Sequence, residues 1–251
     1  MKTKYLILLS LLSTTTFPLH AQENVQAPAT ERSETPLPPR EGVGVGLTLG
    51  ADLVNQYIWR GQHLGNVSLQ PTLGVEWKGL SLSTWGSVGL ADAADDKEVD
   101  LTLTYSVGGF NVGISDYWFS KGSYFQYKAH KTTHVFEANI GYDFGFLNVQ
   151  WFTNIAGDDG LNKDCKRAYS SYLELAAPFR LGGLDWTATV GAVPYATTYY
   201  NANGFCVINV GLRATKDLVI NEKYHLPVFV DLTANPRDEM MYLICGLSLS
   251  L

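Results

Sequence analysis

LTLGADLVNQYIWRGQHLGNVSLQPTLGVEW, residues 47–77, sets the pattern that the remainder of the chain repeats. Leu47, Leu49, Ala51, Leu53, Tyr57 and Trp59 share one parity, interrupted by Asn55, while Thr48, Gly50, Asp52, Gln56 and Arg60 share the other. A period of two with one apolar and one wet face is that of a half-buried β-strand. After a short polar loop at 60–66 it resumes, with Val67, Leu69, Leu73, Val75 and Trp77 set against Ser68, Gln70, Thr72, Gly74, Glu76 and Lys78. A soluble sandwich produces the same alternation. Strand length separates the two: about 11 residues at ~3.3 Å rise, tilted by roughly 40°, cover the ~25 Å apolar band of an outer membrane. Soluble strands average about 5 to 6 residues.

Only 17% of the chain is charged, yet it carries 24 glycines, 11 Phe, 14 Tyr and 6 Trp, the balance expected of tight turns and interfacial aromatics. Mean hydropathy is near zero. Alternation hides a membrane face from any window average, so the lack of a second long apolar run excludes a helical bundle and not a barrel. A net charge of −6 argues against nucleic acid as a partner.

Residues 1–21 read as a signal peptide, with Lys2 and Lys4 before an apolar run from Tyr5 to Leu12 and a cleavage region ending His20-Ala21. Residues 22–42, rich in Pro, Glu and Thr, predict a disordered linker. From 43 to 251 the alternation predicts an all-β, antiparallel up-and-down transmembrane barrel. Candidate strands fall near 45–59, 67–78, 80–91, 98–107, 110–119, 133–143, 146–156, 168–177, 184–193, 205–215, 226–235 and 239–251, about twelve, with ten or fourteen as alternatives. Connections alternate between tight Gly-bearing turns (78–79, 108–109, 143–145, 180–183) and longer polar loops (60–66, 92–97, 120–132, 157–167, 194–204), as outer-membrane barrels require. That parity places both chain ends on the periplasmic side and the long loops outside. Two connections depart from it: 216–225 is long where a turn is expected, and 235–239 is short where a loop is expected. Pro71, inside a strand without a ladder donor, predicts a bulge.

Within this frame, DLVNQYIWRG (52–61), LQPTLGVEW (69–77), SSYLELAAPF (170–179) and NPRDEMMYLICGLSLSL (235–251) resemble the TorF-type porins of Gram-negative bacteria. The resemblance spans the mature chain from Gly44 onward. It implies an outer-membrane barrel and, with the His-Ala-Gln cleavage region, a Bacteroides-like source. Its motifs are structural strands, silent on substrate, and they bring no catalytic residues. Leu251 departs from the aromatic last residue usual in such barrels.

Signals for chemistry are weak. His63, His130, His134 and His225 lie in or beside predicted loops; no G-x-S-x-G or H-E-x-x-H occurs. A Ser-His site assembled across strands is recognised by geometry alone. His130 and His134 flank a strand start among lysines and read as solvated loop residues. Asp92, Asp95, Asp96, Glu98 and Asp100 form an acidic run with hard-cation ligand chemistry but without calcium-loop order; exposed outer-loop carboxylates explain it, with a loop-bound divalent cation as the alternative. Cys165 and Cys206 lie beside the fourth and fifth outer loops, and a bridge between them is an open alternative.

The inward parity is more informative. It carries Asp52, Glu76, Asp100, Glu137, Glu174, Asp185 and Asp231 against Arg60, Lys78 and Arg213, together with Trp85, Phe152, Tyr172 and Phe229. Asp52, Arg60, Glu76, Asp100, Glu137, Glu174, Arg213 and Asp231 are the candidate pore lining, and Glu137, Glu174 and Asp231 the candidates for a weak cation preference. The same groups fit a lumen plugged by paired charges. A passive pore for small polar solutes or ions and a non-conducting structural or surface-interaction barrel are the two functions the sequence supports, with a membrane enzyme third. No catalytic residue, metal or cofactor is predicted. The expected partners are outer-membrane lipid, the permeating solutes or ions and the barrel-assembly machinery. Tyr57, Trp59 and Trp118 are expected at the outer interface, and Trp77, Tyr142, Phe144, Phe146 and Trp186 at the inner one.

Overall fold

Each alternating run but the first becomes one strand of the wall, because only pairing with a neighbour on either side satisfies the backbone while one face stays apolar. The computed structural model describes residues 44–91, 95, 97–221 and 224–250. The signal segment, the linker, Asp92 and Asp96 lie outside the described residues. The strands are β1 (Gly46–Val54), β2 (Tyr57–Trp59), β3 (Gln62–Gly65), β4 (Ser68–Trp77), β5 (Leu80–Gly89), β6 (Glu98–Val107), β7 (Phe110–Trp118), β8 (His134–Asp143), β9 (Asn148–Gly157), β10 (Ser171–Leu181), β11 (Leu184–Val193), β12 (Cys206–Asn221), β13 (Tyr224–Asn235) and β14 (Met240–Ser250). β1 and β4 to β14 close a twelve-stranded antiparallel barrel in chain order, β14 pairing back onto β1. β2 and β3 form a separate hairpin.

The two faces of the wall follow the sequence pattern. Leu47, Leu73, Leu82, Leu103, Ile114, Ile140 and Leu243 are exposed, while Ser68, Gln70, Asp100, Asn111, Glu137, Gln150 and Asp231 are buried inside. One end of the barrel carries tight turns. At Lys78-Gly79 both residues have positive φ (50° and 81°), the geometry of a two-residue hairpin turn. Lys78 therefore lies in the exposed turn, its ammonium 5.0 Å from the Trp77 ring, and not on the inward face. At this turn end Trp77, Tyr142, Phe144 and Phe146 are exposed, and Trp186 stacks on Phe179 (6.1 Å, 9°).

Several expectations are corrected. β12 and β13 run on to Asn221 and Tyr224, so 216–225 is mostly extended strand and not a long link. No bulge relieves Pro71: it pairs with Ala51, and the β4–β5 ladder resumes beyond it in unchanged register. Register shifts in the wall lie instead at Phe136/Glu137, Gly191/Ala192 and Val219/Asn221, and the β2–β3 hairpin carries another at Tyr57/Ile58. Cys165, Cys206 and Cys245 are all free, so the open disulfide does not form. The largest correction concerns the first strand, which leaves the wall at Val54.

Candidate functional site

Asn55 makes that departure possible. Its side-chain amide imitates a strand: the Cys245 amide donates to Asn55 Oδ1 (2.7 Å), Asn55 Nδ2 donates to the Leu243 carbonyl (3.0 Å), and its own N–H reaches the Cys245 carbonyl (3.1 Å). Gln56 Nε2 adds a second donor to Leu243 (2.7 Å). Edge groups of β14 that β1 abandons are thus satisfied by amide side chains. Beyond them the chain turns into the lumen as the β2–β3 hairpin, whose two-residue turn, Arg60-Gly61, has positive φ at both positions (49° and 73°). That is the type I′ geometry matched to strand twist.

The hairpin tip is seated against the far wall. The Gly61 carbonyl accepts from Asn235 Nδ2 (3.1 Å), and a Cβ on Gly61 would lie 2.0 Å from the Ile208 carbonyl oxygen. Gly61→Ala therefore meets both a backbone collision and an unfavourable φ. We expect it to cost about 1 to 3 kcal/mol and to lift the hairpin from its seat. A red shift of Trp59 emission would report the lifting; unchanged emission and stability would show that the tip is not seated.

Arg60 is the centre of the site. Its guanidinium lies 4.7 Å from the Trp59 ring, 4.2 Å from Phe152 and 4.5 Å from Tyr172. Nη1 and Nη2 donate to Glu137 Oε2 (2.7 Å) and Oε1 (3.0 Å), and Nη1 also donates to the Tyr200 hydroxyl. Tyr117 donates to the same carboxylate (2.9 Å). Both ends of the pair are buried, with side chains 3% and 2% exposed. A planar fork on a carboxylate beneath aromatic faces is the arrangement that suits Arg and not Lys. Tyr57 of the same hairpin donates to Glu98 Oε2 (2.8 Å) and packs on Trp85 (5.5 Å). Tyr57, Trp59, Phe152, Tyr172, Val193, Tyr200, Ala202 and Ile208 form one buried cluster that fills the loop end of the lumen. A second, of Val54, Ile58, Phe229 and Ile244, lies behind the seam where β1 turns in.

The predicted lining residues separate accordingly. Arg60 and Glu137 meet across 77 positions of sequence. Arg213 lies 3.4 Å from Asp231 and 4.3 Å from the Phe229 ring. Glu174 accepts from Tyr172 (3.0 Å), which stands over Gly191, where any Cβ would collide with it. Asp100 is buried opposite Trp85 and Tyr117, and Asp52 is half-buried opposite Ser248. Glu76 is half-buried near the turn end. Glu98 faces the lumen and is 1% exposed, so the acidic run is not wholly an exposed loop. Tyr57 and Trp59 line the lumen rather than an outer girdle. Tyr200 and Glu98 were not predicted site residues; the break in alternation at Asn55-Gln56 and the Arg-Gly pair were the available signals for an inserted hairpin.

Below the hairpin the lining changes. Thr48, Gly50, Thr72, Ser81, Ser83 and Thr102, small and half-buried, face inward from β1, β4, β5 and β6. The opposite wall carries a buried amide cluster, Asn111, Asn139, Asn148 and Gln150.

His134 is no solvated loop residue. It is wholly buried on the outward side of the wall, Nδ1 2.6 Å from Asp116 Oδ1 and Nε2 2.6 Å from the Tyr124 carbonyl. With Nε2 tied to a carbonyl, no nucleophile stands at that nitrogen. Burial and the Asp116 carboxylate, to which it donates (3.2 Å), push the Tyr127 phenol up to about 12. Among the described residues, no group of three or more His, Cys, Asp or Glu is placed to hold a metal ion.

No family model matches the chain, and no curated protein matches it. Among solved structures it is similar to OmpF of Salmonella typhi in complex with daunomycin, at 11% identity and TM-score 0.37, covering 82% of this chain and 97% of that one. It is also similar to a triple mutant of the Rh. blastica porin, at 10% identity and TM-score 0.37, covering 83% and 100%. What this lumen does follows from its own lining.

Proposed function

We propose that the chain is an outer-membrane porin of the TorF type whose bore is closed at its loop end by the β2–β3 hairpin, and that it passes small polar solutes or ions when the hairpin moves. The observation that carries this reading is the unequal filling of the lumen. Side chains alone fill the interior of a barrel of about eight strands, and the bore widens as strands are added; in this twelve-stranded barrel the loop end is packed by an inserted hairpin, while small hydroxyl-bearing residues and glycine line the turn end. The hairpin is a local insert held by side-chain contacts, among them the Asn55 and Gln56 amides, the Arg60–Glu137 ion pair, the Tyr57–Glu98 hydrogen bond and the Asn235 amide on Gly61, and not by the strand ladder of the wall.

One observation favours the second reading, a non-conducting structural barrel: Glu98, Glu137, Tyr172 and Tyr200 are at most 2% exposed, so no water-filled passage runs beside them with the hairpin in place. Liposome swelling separates the two. A closed porin admits small sugars slowly in the parent and quickly once residues 56–65 are replaced by a short Gly-Ser turn joining Asn55 to Asn66. A structural barrel admits none in either form. In the opened variant Glu98, Asp100, Glu137, Glu174 and Asp231 outnumber Arg213 on the inner wall, so reversal potentials in a salt gradient are expected to show cation preference, fading as salt shortens the Debye length below about 10 Å. Anion preference would refute that lining.

A further inference from the structure

The connection between β7 and β8 does not arch over the barrel mouth. Its aromatic side chains lie on the outer surface of the wall: Tyr124 is 5.3 Å from both Trp118 and His134, and Tyr127 is 4.4 Å from His134 and 6.3 Å from Phe136. Trp118 and Asp116 pair in register with Val99 and Leu101, both exposed on the outside, and with His134 and Phe136 across the other edge. The segment is fixed there. His134 joins Asp116 to the Tyr124 carbonyl, the Thr133 hydroxyl donates to the Lys121 carbonyl, and the amides of Lys131 and Thr132 donate to the Lys128 carbonyl (3.0 Å each).

What the pinned segment presents is cationic. Lys121, Lys128, His130 and Lys131 are exposed, and no carboxylate occurs between Ser120 and Thr133, in a chain whose net charge is −6. Among the described residues no ion pair engages any of the three lysines. Phe125, between them, is 85% exposed. Exposed lysines and an exposed ring in one short segment, pinned by Tyr124 and Tyr127 to the outer surface at one end of the wall, suit a layer that is anionic on one side and apolar on the other.

We propose that segment 120–133 is a binding surface for the phosphate of an anionic lipid headgroup, with Lys121, Lys128 and Lys131 as the contacts and Phe125 set among the acyl chains. The proposal rests on the reading of the chain as a membrane barrel. A lysine close to an anionic lipid surface strengthens association by about fivefold, so three act by roughly a hundredfold together.

The test is native mass spectrometry of the refolded full chain in detergent, titrated with phosphatidic acid and with zwitterionic phosphatidylcholine, after a heat-modifiable gel shift has verified the closed barrel. The parent should retain phosphatidic acid at least tenfold better than phosphatidylcholine. Lys121→Gln/Lys128→Gln/Lys131→Gln should lose about a hundredfold in that retention, while Lys216→Gln, at the turn end, retains it. Equal retention of the two lipids by the parent, equal loss in the Lys216 variant, or full displacement by millimolar inorganic phosphate would each overturn the proposal, the last by assigning the surface to a soluble anion. A chain that never gives the gel shift would overturn the membrane reading and this inference together; a folded barrel without lipid preference overturns this inference alone.

Discussion

Replacing Glu137 by Ala is expected to cost about 3 to 5 kcal/mol, because it leaves the Arg60 guanidinium buried without its carboxylate. The three aromatic faces around Arg60 return only about 0.5 to 2 kcal/mol each as cation–π attraction, and Tyr200 offers a neutral hydroxyl. The variant's least costly response is to withdraw the hairpin toward water, so the loss should appear as a lowered denaturation midpoint together with raised basal conductance. Removing both charges has the opposite character. Arg60→Met with Glu137→Leu keeps the volume and removes both desolvation costs, and such exchanges of buried pairs are neutral or stabilising by about 1 to 4 kcal/mol. If the single and double variants unfold at the same midpoint, the pair is not what holds the hairpin.

Leu103→Arg is the second large effect. Leu103 lies mid-strand in β6, exposed on the outside and flanked by Leu82 and Ile114. A charge at the bilayer midplane costs about 2 to 4 kcal/mol in a transmembrane barrel and about 0 to 1 near the interface. Refolding into lipid vesicles should therefore resolve Leu103→Arg from Val107→Arg, which lies at the turn end of the same strand. Equal tolerance of the two would mean that the apolar exterior does not face lipid.

The barrel was legible in the sequence because its signal repeats. Twelve alternating runs, each near the length a tilted strand needs, agree with connections that alternate tight and long, and the strand ends from Glu98 to Val107 and from Leu184 to Val193 fall where the pattern places them. The inserted hairpin was not legible, for a physical reason. Tyr57 and Trp59 keep the parity of Leu47 to Leu53, so nothing in the alternation records that the chain has crossed from the wall to the lumen, where an aromatic ring is as well buried as at a membrane interface. Asn55, a polar residue on the apolar parity, marks the crossing and the Arg60-Gly61 pair the turn beyond it, but the strand-mimicking role of Asn55 depends on β14, some 190 positions away. The Arg60–Glu137 pair was half legible. Both residues were expected inward, but their meeting depends on how far the hairpin reaches across the bore, which strand parity does not encode. His134 was misread because its burial comes from Tyr124 and Tyr127 folding back over the outer wall, a loop conformation without periodicity.

Single-channel recording in planar bilayers, on the parent and on the variant with residues 56–65 replaced by a Gly-Ser turn, tests most directly the claim that the hairpin closes a conducting bore. The parent is expected to stay closed with rare brief openings, and the shortened protein to show steady, cation-preferring conductance. Two equally silent proteins, each showing the heat-modifiable shift of a folded barrel, would contradict it.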